Sequence, residues 1–229
     1  KKVTIPSSVE ELPSYIFFAC KALEEVNLNE GLRCIRGGAF TNCAALKTIS
    51  LPDSIEKIEG DAFKSCISIE EIDIPDSLTE VYASAFNNCT SLKTINLGEK
   101  SKVSGNFNGI GSNKVEGFTV DGKNENYFAE DGVLYSGDKT VLVCYPKAKT
   151  GESFEVPADT KTIGANAFYS QLFLKTVTLP EGVTEIGADA FGSCKSLEKI
   201  NLPDTVEKIA PQAFSNFKHF EEADGAKYI

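Results

Sequence analysis

The residues of this chain that could do chemistry are seven cysteines, one histidine and several adjacent carboxylates. Such types allow disulfides, a metal centre, a Cys–His nucleophile or a paired-carboxylate acid and base. Spacing argues against each. Cys20, Cys43, Cys66, Cys89 and Cys194 fall on a single position of a 23-residue repeat. Residues related by translation point in parallel directions, whereas a disulfide needs converging side chains with a dihedral of roughly ±90°. They therefore read as a ladder of buried, reduced thiols. Gln171 and Phe217 stand at the same position in two other copies, so it reads as a site for a compact or apolar filler that does not depend on sulfur. No C-x₂-C pair or comparable ligand spacing points to a metal. Cys34 and Cys144 lie off the ladder, and Cys34, at an outward-predicted position, carries the alternative of a modifiable thiol.

His219 sits beside Phe217 and Phe220 with no nucleophile placed next to it by spacing, and reads as a surface residue at the end of the stack. Glu24-Glu25, Glu70-Glu71 and Glu221-Glu222 read as solvated faces, since neighbours on a strand point opposite ways. The run that starts at Asp121-Gly122-Lys123-Asn124-Glu125-Asn126 lacks the glycine at position six and the glutamate at position twelve that a calcium loop needs. Asn88-Cys89-Thr90 matches a glycosylation sequon, but its cysteine falls on the thiol ladder. The sequence thus names no catalytic residue, no metal ligand and no cofactor, and reads as a protein that is not an enzyme.

What positions these residues is the repeat itself. Its cleanest copy runs from Leu46 to Cys66, and Ala-Phe pairs recur at Ala39-Phe40, Ala62-Phe63, Ala85-Phe86, Ala167-Phe168, Ala190-Phe191 and Ala213-Phe214, with Ile16-Phe17 as a degenerate first copy. Each copy reads as a short strand, a turn, a second extended piece and a helical or 3₁₀ turn around Ala-Phe. Leu46, Ile49 and Leu51 point inward while Thr48 and Ser50 point outward. One copy cannot bury that face, but stacked copies can, with strands ~4.7–4.9 Å apart in one parallel sheet along a solenoid. The copy from Leu92 to Lys114 keeps the spacing but loses Ala-Phe and Cys, and is expected to be irregular around Gly105 to Gly109. Between the arrays, Asp131-Gly132 and Gly137-Asp138 are tight-turn signals that predict a β-hairpin or three-strand meander over about 122–150.

The pattern L-x-x-I-x-L-P-x-x-V-x-x-I-x-x-x-A-F-x-x-C, as in Leu174 to Cys194, resembles the BspA-like leucine-rich repeats of bacterial surface antigens, and the resemblance covers almost the whole chain. The segment from Phe118 through Asp131-Gly132-Val133-Leu134-Tyr135 to Tyr145-Pro146 is a second mark of that family. The fold expected is a single, mainly β leucine-rich repeat solenoid over 1–229, with about nine 23-residue copies in 1–121 and 151–229 and the insertion between them. The resemblance implies a secreted or surface-attached adhesin of a host-associated bacterium, with a host extracellular-matrix or plasma glycoprotein as partner. The alternative is a structural spacer that presents another domain of a larger surface protein.

Composition narrows the partners. A net charge of −10, from 33 acidic and 23 basic residues, argues against nucleic acid and anionic membranes. No apolar run approaches the roughly 20 residues of a membrane span. The chain starts Lys1-Lys2-Val3 and has no methionine, so it reads as a fragment or processed form whose signal segment has been removed, and an extracellular or cell-surface location is expected. The outward strand positions Asn27, Thr48, Ser50, Glu71, Asp73, Thr94, Asn96, Thr176, Thr178 and Asn201 form the expected protein-binding face. Thr and Ser also simply suit exposed strands, which is the competing reading. Tyr127, Tyr135 and Tyr145 of the insertion are further contact candidates. An acidic column after the proline, including Glu30, Asp53, Asp76 and Glu99, reads as turn-stabilising, with a landing strip for a basic partner as the alternative.

Overall fold

A computed structural model describes residues 1–82, 84–103, 107 and 113–216. The outward and inward alternation of each copy becomes two parallel strand ladders, not one. Ladder one holds β1 (Lys2–Thr4), β3 (Glu25–Asn27) and β5 (Thr48–Ile49), then β7 (Glu71–Ile74), β9 (Thr94–Leu97) and β10 (Gly117–Val120), then β14 (Ser153–Glu155), β16 (Thr176–Thr178) and β18 (Lys199–Ile200), as three separate sheets. Ladder two is the second extended piece of each copy: β2 (Glu11–Leu12), β4 (Cys34–Ile35), β6 (Lys57–Ile58) and β8 (Glu80–Val81). It resumes in a six-stranded sheet ordered β11 (Tyr127–Glu130), β12 (Val133–Ser136), β13 (Val141–Cys144), β15 (Thr162–Ile163), β17 (Glu185–Ile186) and β19 (Lys208–Ile209). Pairing between copies keeps the period of the sequence, as in Ile72↔Ile95↔Phe118.

Turns close each copy, and no α-helix occurs among the described residues. The expected helical piece around Ala-Phe is cut short because left-handed residues flank it, as with Asp61 (φ 58°) and Ser65 (φ 59°), or Asp189 (φ 52°) and Ser193 (φ 57°). A helix cannot propagate through such residues. The turns form a ladder of their own instead: Phe40 N donates to Ala62 O at 2.7 Å and Asn42 N to Lys64 O at 2.8 Å.

Inside, the alanine column from Ala39 to Ala213 is at most 2% exposed, because copies stack too closely there for a larger side chain. Next to it the phenylalanines stack face to face. Phe17, Phe40, Phe63 and Phe86 form one row and Tyr145, Phe168, Phe191 and Phe214 another, with centroids 4.9–5.4 Å apart. Each buried ring contributes about 1.5–3 kcal/mol from burial alone.

Between the rows lies a three-strand meander. Asp131 (φ 48°) and Gly132 (φ 75°) form the two-residue turn between β11 and β12, and two consecutive positive φ values are what such a hairpin turn requires. Strand β12 is buried on both faces: Leu134 packs into the N-terminal core, Val133 and Tyr135 into the C-terminal one. The meander joins two cores that translation alone would not connect. Of the copy expected to be irregular, Phe107 is buried edge-on against Phe118 and Tyr127; 104–106 and 108–112 lie outside the described residues.

Candidate partner-binding face

Ladder one carries the sequence-predicted face. Asn27, Thr48, Ser50, Glu71, Asp73, Thr178 and Asn201 are exposed, and Thr94, Asn96 and Thr176 are half-buried. The strand period puts them outward: Val26, Ile49, Ile72 and Ile95, their neighbours, are all in the core. Asn27, Thr48 and Ser50 line one open groove with Glu25 and Glu30. Thr48, Glu71 and Thr94 line a second of about 610 Å³, together with Lys47, Ser68, Glu70, Ser91 and Lys93. Thr176, Thr178 and Asn201 stand apart from these grooves, on the sheet of the C-terminal array.

Much of the face bonds to itself. Asn96 Nδ2 donates to Asp73 Oδ1 at 2.7 Å, and Thr119 Oγ1 donates to Asn96 Oδ1 at 2.6 Å. With its amide oriented to suit its neighbours, Asn27 donates to Glu25 Oε1 and accepts from Lys2 Nζ. Asn201 pairs with both backbone groups of Leu179, Nδ2 to O at 2.9 Å and Leu179 N to Oδ1 at 2.7 Å. At the edge of the face, Lys93–Glu116 (3.8 Å) and Lys175–Glu152 (2.7 Å) pair across copies. These are exposed pairs and serve alignment more than stability.

The aromatic candidates fare differently. Tyr135 is 3% exposed and Tyr145 1%, so neither is available to a partner; both rings fill the C-terminal core. Tyr127 is half-buried and its hydroxyl donates to Val103 O at 2.9 Å. The insertion's rings are used to bridge the arrays. Tyr145 also reveals a repeat that sequence reading missed: Cys144-Tyr145 precedes Ala167-Phe168 by the same 23 residues, and Tyr145 N donates to Ala167 O as Phe168 N does to Ala190 O and Phe191 N to Ala213 O. The spacing was the signal, hidden by the change of residue types.

The cysteines other than Cys20, which is exposed, are all buried, and none of the seven forms a disulfide. Their position does depend on a donor. Cys43, Cys66, Cys89 and Cys194 Sγ donate to the carbonyls of Phe17, Phe40, Phe63 and Phe168 at 2.9–3.1 Å. Gln171 Nε2 donates to Tyr145 O at 2.8 Å from the same position. In these five copies the position holds a compact donor, a thiol or an amide, so it does not depend on sulfur. Burial pushes the thiols up, Cys43 and Cys194 to about 11 and Cys89 to about 12. Cys34, expected outward, is 6% exposed, and burial raises its thiol despite the nearby Arg36. It lacks the lowered pKa of a reactive cysteine.

The loop after Asp121 bonds to its own turn. Asp121 Oδ1 accepts from Lys123 N, and Asn124 Oδ1 from Asn126 N and Tyr127 N. Asp76 Oδ1 of the acidic column accepts from Lys100 N at 2.8 Å. Among the described residues no three His, Cys, Asp or Glu side chains gather as a metal site would need, and no helix is long and apolar enough to cross a membrane. Phe217, His219, Phe220, Glu221-Glu222 and the end of the chain from Ala223 lie outside the described residues.

The family described as BspA type leucine-rich repeat region matches residues 1–108 and 144–227 in six copies. No curated protein matches the chain. Among solved structures, a leucine-rich repeat protein from Eubacterium ventriosum is 29% identical with a TM-score of 0.76 over 91% of this chain, which spans 55% of that protein's length. The pneumococcal vaccine antigen PcpA is 25% identical with a TM-score of 0.64, over 92% of this chain and 68% of the antigen. A leucine-rich cell surface protein from Faecalibacterium prausnitzii is also 25% identical, with a TM-score of 0.60 over 93% of this chain and 70% of its own.

Proposed function

The chain belongs to the BspA type leucine-rich repeat family, and from that membership we propose that it is a non-enzymatic protein-binding module of a bacterial surface protein, with ladder one as its contact face. The observation that carries this reading is the run of mostly short, hydrogen-bonding side chains from Asn27 to Asn96, recurring every 23 residues along two open grooves. Short side chains let a partner's backbone approach closely. The similarity to a cell surface protein and to a vaccine antigen supports an extracellular or surface location. The partner is then a host extracellular-matrix or plasma glycoprotein and the module an adhesin.

A second reading, a spacer holding another domain away from the cell, is favoured by one observation. The face satisfies many of its own hydrogen bonds and carries no aromatic anchor of the kind that dominates tight interfaces. Binding of the purified chain to a panel of immobilised matrix and plasma proteins, at low and physiological salt, separates the two. Saturable binding that persists at physiological salt supports the adhesin; silence across the panel supports the spacer.

A further inference from the structure

The contacts between copies are uneven at one interval of ladder one. Along the column that opens each first strand, Glu24, Lys47, Lys93, Glu116, Lys175 and Glu198 all donate a backbone N–H to the copy before, Lys93 to Glu70 O and Glu116 to Lys93 O at 2.8 Å. Among the described residues Glu70 N makes no such bond to Lys47 O, and no ladder joins β5 to β7. A second contact fails at the same interval. Ser54 Oγ donates to Leu32 O at 2.7 Å and Thr205 Oγ1 to Val183 O at 2.8 Å, but the equivalent Ser77 Oγ is buried without a partner. The groove of about 610 Å³ opens above this interval.

Two bonds that tie other copies together are missing at this interval, although β3 and β5 pair across the Pro52 interval, and β14 and β16 across the Pro180 interval, without either of them. Gly98 N donates to Ile74 O and Asp121 N to Leu97 O, but their equivalent at this interval is Pro75, which has no N–H. In the C-terminal array, where prolines also stand, Asn201 clips both backbone groups of Leu179. Its equivalent here, facing Leu51, is Asp73, whose carboxylate cannot donate.

The other sides of the interval are sealed. Strand β6 pairs with β8, Lys57 reaches Glu80 at 3.4 Å, Phe63 stacks on Phe86 at 5.1 Å, and Cys89 Sγ donates to Phe63 O. We propose that the solenoid opens and closes at this interval on the ladder-one side only, pivoting on ladder two and the ring stack. Opening hydrates the stranded Ser77 hydroxyl, and it changes the width of the groove between Thr48 and Glu71. The proposal holds whether or not this face binds a partner.

Hydrogen exchange on the whole chain tests it. The segment around Glu70–Ile74 is expected to exchange on the order of tenfold faster than the equivalent Lys93–Leu97. Asp73→Asn, which supplies the missing clip to Leu51, or Pro75→Ala, which supplies the missing N–H, is expected to slow it toward the Lys93–Leu97 rate. Equal protection of the two segments in the native chain, or exchange unchanged in both variants, overturns the proposal.

Discussion

The N-terminal and C-terminal arrays have the same interior and different boundaries. Both stack rings 4.9–5.4 Å apart beside a column of buried alanines, and both tie each copy to the one before through a donor aimed at the ring residue's carbonyl. Yet the N-terminal array faces ladder two with charge pairs, Arg36 between Glu11 and Glu59 and Arg33 with Glu56, while the C-terminal array starts ladder two on the meander's own strand β13. Translation dictates the interior, because every copy must meet an identical neighbour. It dictates nothing where a copy meets something else, and there the chain varies: Tyr145 for phenylalanine, Gln171 for cysteine.

The largest effects test whether the interiors are equivalent. Phe63→Ala and Phe168→Ala, each removing a fully buried ring from the middle of its row, are both expected to cost ~3–5 kcal/mol in denaturant unfolding. A large inequality would break the comparison. Leu134→Ala trims the meander's contact with the N-terminal core, which Cys144 and Tyr127 share, and is expected to cost ~2–5 kcal/mol. It should also split unfolding into two transitions, monitored by probes in each array, because the joint is weakened while both arrays stay intact.

Smaller effects sharpen the role of the donor position. Cys66→Ala leaves Phe40 O without its donor and is expected to cost ~1–3 kcal/mol, with Cys66→Ser recovering part of the loss. Gln171 satisfies Tyr145 O but leaves its own Oε1 buried without a partner, so Gln171→Cys is expected to raise the unfolding midpoint. The thiols also set an alkaline limit. Their folded pKa is raised above the ordinary 9.0, so unfolded thiols lose protons first as pH rises. Their contribution is whole below pH 9.0 and drains between there and about 11 for Cys43 and Cys194. Serine at both positions should flatten that part of a stability–pH profile. Smallest of all, Thr48→Lys, Asp73→Lys or Thr94→Lys should each leave stability within ~0.5 kcal/mol.

The solenoid was legible because its signal repeats: an inward residue at Ile49, Ile72 and Ile95 is the same physical statement made three times. The meander was legible from Asp131-Gly132, whose turn needs those residue types. What stayed hidden depends on a partner two dozen residues away. That cysteine and glutamine share a donor role appears only once both are seen against a carbonyl of the preceding copy. Tyr135 and Tyr145 read as contact residues because the alternation of a hairpin does not reveal that both of its faces are covered. The second extended piece was expected, but not that it pairs into a ladder of its own, because two-residue strands such as Lys57–Ile58 are too short to show a period. The binding face was legible as a surface, since alternation fixes which side chains point outward, but not as a site, since nothing in a single column names what it touches.

The most direct test of ladder one as the contact face sets two variants of equal charge change side by side against a panel protein that the native chain binds. One carries Thr48→Lys, Asp73→Lys and Thr94→Lys on ladder one; the other carries Glu185→Lys and Glu207→Lys, exposed residues along ladder two. The account predicts that binding at physiological salt falls at least tenfold in the first and holds in the second, with both folded. Equal loss in the two, or loss confined to the ladder-two variant, would contradict it.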